Sequence, residues 1–116
     1  MLKFTIPIKT VNESNQRSHW AVKAKRTASV RGAASLFGLA QTLPPDPFPL
    51  TVTLTRVSPG TLDDDGLASA LKAARDGIAD WLGVDDKLRD VVRYRYEQRK
   101  GSPYAIEVAL TAGIAR

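Results

Sequence analysis

The sequence predicts an α+β fold: a small mixed β-sheet with two main helices, in the order β-α-β-α-β-β, forming a single domain over residues 1–116. Three observations predict it. Four short segments alternate apolar and polar residues with the period of a strand. Two longer segments repeat apolar or small residues every three or four positions, the period of a helix. Clusters of proline, glycine and polar residues separate them. One sheet with helices packed on it is the arrangement expected to bury these faces.

Each element has its own justification. Lys3 to Ile8 reads as a strand, with Phe4, Ile6 and Ile8 on one face. Val11 to Asn15 reads as a polar loop of turn-forming residues. From about Ser18 to Thr42 the pattern is helical, with Ala21, Ala24, Ala28, Gly32, Ser35 and Leu39 as one stripe of mostly small residues. His19, Lys23, Lys25, Arg26 and Arg31 fall off or beside that stripe. The proline-rich run Leu43 to Pro49 cannot be helix and reads as a stiff connector. Leu50 to Val57 alternates Leu50, Val52 and Leu54 with Thr51, Thr53 and Thr55, the pattern of a strand. Leu67 to Leu82 is a helix with Leu67, Leu71, Ala74, Ile78 and Leu82 in one apolar stripe. An aspartate before it is a natural N-cap, and Gly83 is a natural stop. Val91 to Gln98 and Tyr104 to Leu110 alternate as strands, joined by a hairpin-like turn over Arg99 to Pro103.

Composition narrows the function classes. The chain has no cysteine, which excludes disulfides, zinc–thiolate sites and a thiol nucleophile and fits a reducing cytoplasm. The first ten residues are too short and polar for a signal peptide, and no apolar run approaches membrane-spanning length. Charge is unevenly placed: residues 1–56 carry a net +6, residues 57–90 a net −4 and residues 91–116 a net +3. The basic parts suit a polyanion such as DNA. The acidic island would repel it unless a metal ion neutralises the carboxylates.

That island is the most informative segment. Asp63-Asp64-Asp65 opens a helix, Lys72 and Asp76 lie within it, and Asp85-Asp86 follows it. On a helix, Asp65 and Lys72 differ by only about 20° in azimuth, and Asp76 lies about 40° beyond Lys72. Asp63 and Asp65, two apart, point the same way in an extended segment, whereas Asp64 points away or caps the helix. Asp85 or Asp86 would join them if the next strand lies beside the one ending at Val57. Oxygen-only donors favour Mg²⁺ or Mn²⁺ over Zn²⁺. Such a site drives phosphodiester hydrolysis, with a nearby lysine stabilising the phosphate or the leaving oxygen. Each part also has a plainer reading: the triplet as a cap, Lys72 and Asp76 as a surface pair, Asp85-Asp86 as a solvated turn. It is their conjunction on one helix of a basic chain that points to chemistry. A nucleotide-sugar Asp-x-Asp motif is a further reading, and the chain is too short for that class of enzyme.

The block LDDDGLASALKAARDGIADWLGVDD resembles the RusA family of Holliday junction resolvases, which includes many phage members. The likeness runs from about residue 50 to 110 and extends before it only in kind. It implies a Mg²⁺-dependent endonuclease (with Mn²⁺ as a substitute) that cleaves four-way DNA junctions in recombination and repair and acts as a homodimer. Carried onto this chain, it implies Asp63, Asp65 and Asp86 as metal ligands and Lys72 as the residue that supports cleavage. It also implies DNA-backbone contacts from Asn15, Arg17, Lys23 and Arg26, in the loop and first helix. Gly66 stands where the motif has Asn, and Lys72 follows Asp65 by seven residues where the best-known form has four. These differences keep an alternative in view, a non-catalytic junction-binding protein of the same fold. His19, the single histidine, reads as a surface or capping residue rather than a base. Arg93 and Arg95 share a strand face that suits DNA or solvent equally, and Trp81, Tyr94 and Tyr96 read as core or dimer interface.

Overall fold

The computed structural model describes residues 2–10, 20–84 and 90–114. Its elements follow the predicted order: β1 (Leu2–Ile6), α1 (Trp20–Leu39), β2 (Leu50–Ser58), α2 (Asp64–Leu82), β3 (Val92–Lys100) and β4 (Ala105–Ala112). The strands form one mixed sheet in the order β1-β4-β2-β3. β4 runs antiparallel to β1 and β2, whereas β2 and β3 are parallel. The fold is therefore α+β, as predicted.

Alternation decides which face each strand buries. Leu50, Val52 and Leu54 of β2 and Ile106, Val108 and Leu110 of β4 face the helices and are almost fully buried. Ile6 on one side and Val92 on the other extend that layer. Lys3, Thr5, Arg95 and Glu97 are exposed on the opposite face. There Arg99 reaches over β2 to clasp Glu107 with two bonds of 3.0 and 2.8 Å. That hydrogen-bonded guanidinium holds the Glu107 carboxyl below its ordinary range.

The turn over Arg99 to Pro103 is not a hairpin. Val57 of β2 pairs with Arg99 on one side and Ala105 on the other, so β2 separates β3 from β4. Both strands gain more from the deeply buried β2 than from each other, and the connection must step across it.

α2 forms for the reasons its sequence shows. Leu67, Leu71, Ala74, Ile78 and Leu82 are all buried. Gly83 ends it in the left-handed region (φ 71°), and its N–H donates to Ala79 O at 2.9 Å. The helix begins three residues earlier than the apolar stripe does, so Asp64 and Asp65 form its first turn.

α1 has a different phase from the predicted stripe. Ala24, Ala28, Gly32 and Leu39 are exposed, and Ala34 and Gly38 are the buried positions. Small residues lie all around this helix, so composition does not distinguish its faces. Close approach to α2 does. A Cβ at Gly77 would collide with the Arg31 carbonyl, and one at Gly38 would enter the Trp81 ring. Trp81 in turn packs edge-on against Phe4, with ring centroids 5.7 Å apart. Arg31 also reaches Asp80 with bonds of 2.7 and 2.9 Å, tying the helices together at the surface and holding the Asp80 carboxyl below its ordinary range.

Candidate functional site

The acidic segment sits where β2 ends and α2 begins, and three clamps hold it. Arg56, the penultimate apolar-face position of β2, is only 8 % exposed. It donates to Thr10 Oγ1 at 3.1 Å and to Gly60 O at 3.2 Å. Gln98, its register neighbour on β3, brackets the backbone of Leu62: its Nε2 donates to Leu62 O at 2.7 Å and its Oε1 accepts from Leu62 N at 3.0 Å. Asp63 then caps α2, its Oδ1 accepting from Gly66 N at 2.7 Å. The cap is thus Asp63 rather than Asp64. The side chain of the residue immediately before the first helical turn is the one that reaches the free N–H groups.

Capping leaves Asp63 Oδ2 available, and Asp63, Asp64 and Asp65 are all exposed. Asp63 and Asp65 do not lie together in the extended segment expected of them, because Asp63 is the cap and Asp65 lies in the first helical turn; as hard oxygen donors they suit Mg²⁺ or Mn²⁺ in donor type. Among the described residues, no group of three or more His, Cys, Asp or Glu could hold a metal ion.

Lys72 is directed elsewhere. It lies about 10 Å along the helix axis from Asp65. Its Nζ sits 3.4 Å from Asp76 Oδ2, one turn further toward the C-terminus. Asp76 also meets Arg75 at 3.5 Å. The predicted shared edge therefore exists as a Lys72–Asp76 pair, with the aspartates of the first turn upstream of it. This edge borders a cleft of about 420 Å³ between α1, α2 and the segment after β1. Lys72 meets Arg26 of α1 and Lys9 around that cleft. Lys9 Nζ stands 4.9 Å from the centre of the Tyr104 ring. Lys23 lies on the same helix as Arg26 and is half-buried. Asn15 and Arg17 lie outside the described residues.

The Asp85-Asp86 pair, and with it the predicted ligand Asp86, also lies outside the described residues. Its flanks are described. β3 does lie beside β2, but parallel to it, so Val92 pairs with Leu50, the first residue of β2. Asp63 follows the last residue of β2, at the other end of the sheet. The ends of α2 are separated by about 27 Å.

Sequence reasoning missed three residues of this region. Lys9 falls just after the strand predicted over Lys3 to Ile8, and Gln98 is the last residue of another. Arg56 had a signal: it is the one charged residue continuing an apolar alternation. No family model matches the chain, and neither a curated protein nor a solved structure is significantly similar to it.

Proposed function

We propose that the chain is a Mg²⁺-dependent, structure-selective DNA endonuclease of the RusA kind, cutting four-way (Holliday) junctions during DNA recombination and repair in the cytoplasm. One observation carries the reading: two exposed aspartates sit at a triply clamped helix start, about 10 Å along the same helix from Lys72, which lines a cleft with Lys9 and Arg26. Carboxylates and cations on adjacent surfaces are what a metal-assisted phosphodiesterase needs, the first for the ion and the second for the DNA. No helix among the described residues is long and apolar enough to cross a membrane.

Asp63, through Oδ2, and Asp65 would hold the ion together with Asp86. A bound Mg²⁺ supplies a polarised water and neutralises charge at the scissile phosphate. Lys72 would have to leave Asp76 and turn back toward the first turn of α2 to reach the phosphate or leaving oxygen. Arg26 and Lys23, with Asn15 and Arg17, would contact the backbone.

The far separation of the ends of α2 makes the third ligand a question of assembly. Two residues of chain beyond Val84 span at most about 7 Å, well short of the other helix end. The reading therefore includes a homodimer in which Asp86 of each copy closes the site begun by Asp63 and Asp65 of the other. A two-fold dimer also matches the two-fold symmetry of a four-way junction.

Asp65→Asn tests the reading. It should abolish cleavage of a four-way junction in Mg²⁺ while leaving junction binding in Ca²⁺ intact. Equal cleavage by variant and wild type would remove Asp65 from the metal site. The Lys72–Asp76 pair and Gly66 favour a second reading, a junction-binding protein that does not cut. Binding without nicking in both Mg²⁺ and Mn²⁺ would select it.

A further inference from the structure

The cleft between the helices has a composition that backbone binding alone does not explain. Its floor is apolar and shallow in side-chain size: Ile8, Val30, Ala70 and Ala73. The two alanines are what leave the space. Around the floor stand Lys9, Arg26 and Lys72, with Asp76 as the one carboxylate among the described lining residues. Among the described lining residues, three cations therefore stand against one carboxylate, which Lys72 and Arg75 share. Ser29 and Ser69 also line the cleft.

An apolar slot under a cationic rim fits a flat, weakly polar body that carries a phosphate. We propose that this cleft receives a single unpaired nucleotide of a DNA strand, its base on the alanine floor and its phosphate between Lys9, Arg26 and Lys72. The volume of about 420 Å³ is that of a small-molecule site. It accommodates one nucleotide and is far too small for a duplex, so the base must leave the stack to enter. A serine hydroxyl can both donate to and accept from a base edge. This inference rests on the DNA-binding part of the proposed function and is independent of cleavage.

The test is equilibrium binding of full-length protein, in EDTA, to three labelled duplexes: one with a single unpaired thymidine, one with an abasic residue at that place, one fully paired. Wild type should prefer the unpaired thymidine to the abasic residue by about tenfold, which corresponds to roughly 50 Å² of apolar base surface buried. Ala73→Leu, which fills the floor and keeps every cation, should erase that preference, and Lys9→Gln should weaken both bulged duplexes alike. Equal affinity of wild type for all three duplexes would overturn the proposal, as would a preference that survives Ala73→Leu. Photo-crosslinking of wild type through 5-iodouracil at the unpaired position avoids any folding defect of the variants. Crosslinks to the segments containing Lys9, Val30 or Ala73 support the cleft, and crosslinks confined elsewhere refute it. A protein that shows the preference but never cuts a junction would leave the cleft standing and sink the nuclease reading alone.

Discussion

Asp63 carries two duties that substitution can separate. Its Oδ1 caps α2 and its Oδ2 is the proposed metal donor. Asn caps a helix about as well as Asp does, but brings no negative charge to an ion. Asp63→Asn should therefore keep the wild-type urea midpoint and lose cleavage. Asp63→Ala should lose cleavage and about 1 kcal/mol of stability as well. Wild-type activity in Asp63→Asn would confine this residue to capping. The duality also explains why the sequence left the triplet ambiguous. Any of its three carboxylates could cap, and only the observed start of α2 selects Asp63. Arg56 was harder still: an arginine on an apolar face reads as a strand end until the structure shows both of its acceptors, Thr10 and Gly60, folding over it.

Two helix glycines have opposite character. Gly77 lies where α1 and α2 touch, and a Cβ there would strike the Arg31 carbonyl. Gly32, in α1, has open space around the same position. Gly77→Ala should cost about 1–3 kcal/mol through overpacking, whereas Gly32→Ala should add about 1 kcal/mol from helix propensity. Urea unfolding of the two variants checks both signs, and a stabilised Gly77→Ala would mean the helices sit further apart. α2 was legible because leucine and isoleucine contrast sharply with Lys, Arg and Asp around one helix. α1 was not, because alanine, serine and glycine are equally acceptable inside and outside. Its true face is chosen by Gly77 and Trp81, residues more than forty positions away in sequence.

At the level of the whole molecule, element order and fold class followed from periodicity alone, and strand pairing did not. Adjacent strands with a short turn suggest a hairpin, and only the depth of β2 explains why β3 and β4 each pair with it instead. The same parallel pairing puts Val92, which follows the second acidic pair in sequence, beside Leu50 at the end of the sheet away from Asp63, and the proposed dimer makes a stringent prediction. Asp65→Asn and Asp86→Asn should each be inactive. Mixed and reassociated in equal amounts, they should recover roughly a quarter of wild-type cleavage, since half the dimers are mixed and each of those holds one intact composite site. No recovery, with mixed dimers verified by native mass spectrometry, would place all three ligands within one chain or remove Asp86 from the set.

The sheet order has one more consequence, for the time at which this fold can exist. Of the four strands of this sheet β4 is made after the other three, yet it is second in the sheet, bonded on one side to β1 and on the other to β2. While the ribosome is still making it, β1 has no partner strand and the layer beneath α1 and α2 is cut in two. Until residues 105–112 emerge, β2, α2 and β3 can assemble as a parallel unit, but β1 cannot dock in its final register. Lys9, which follows β1, therefore joins Lys72 and the acidic turn only after residues 105–112 have been made.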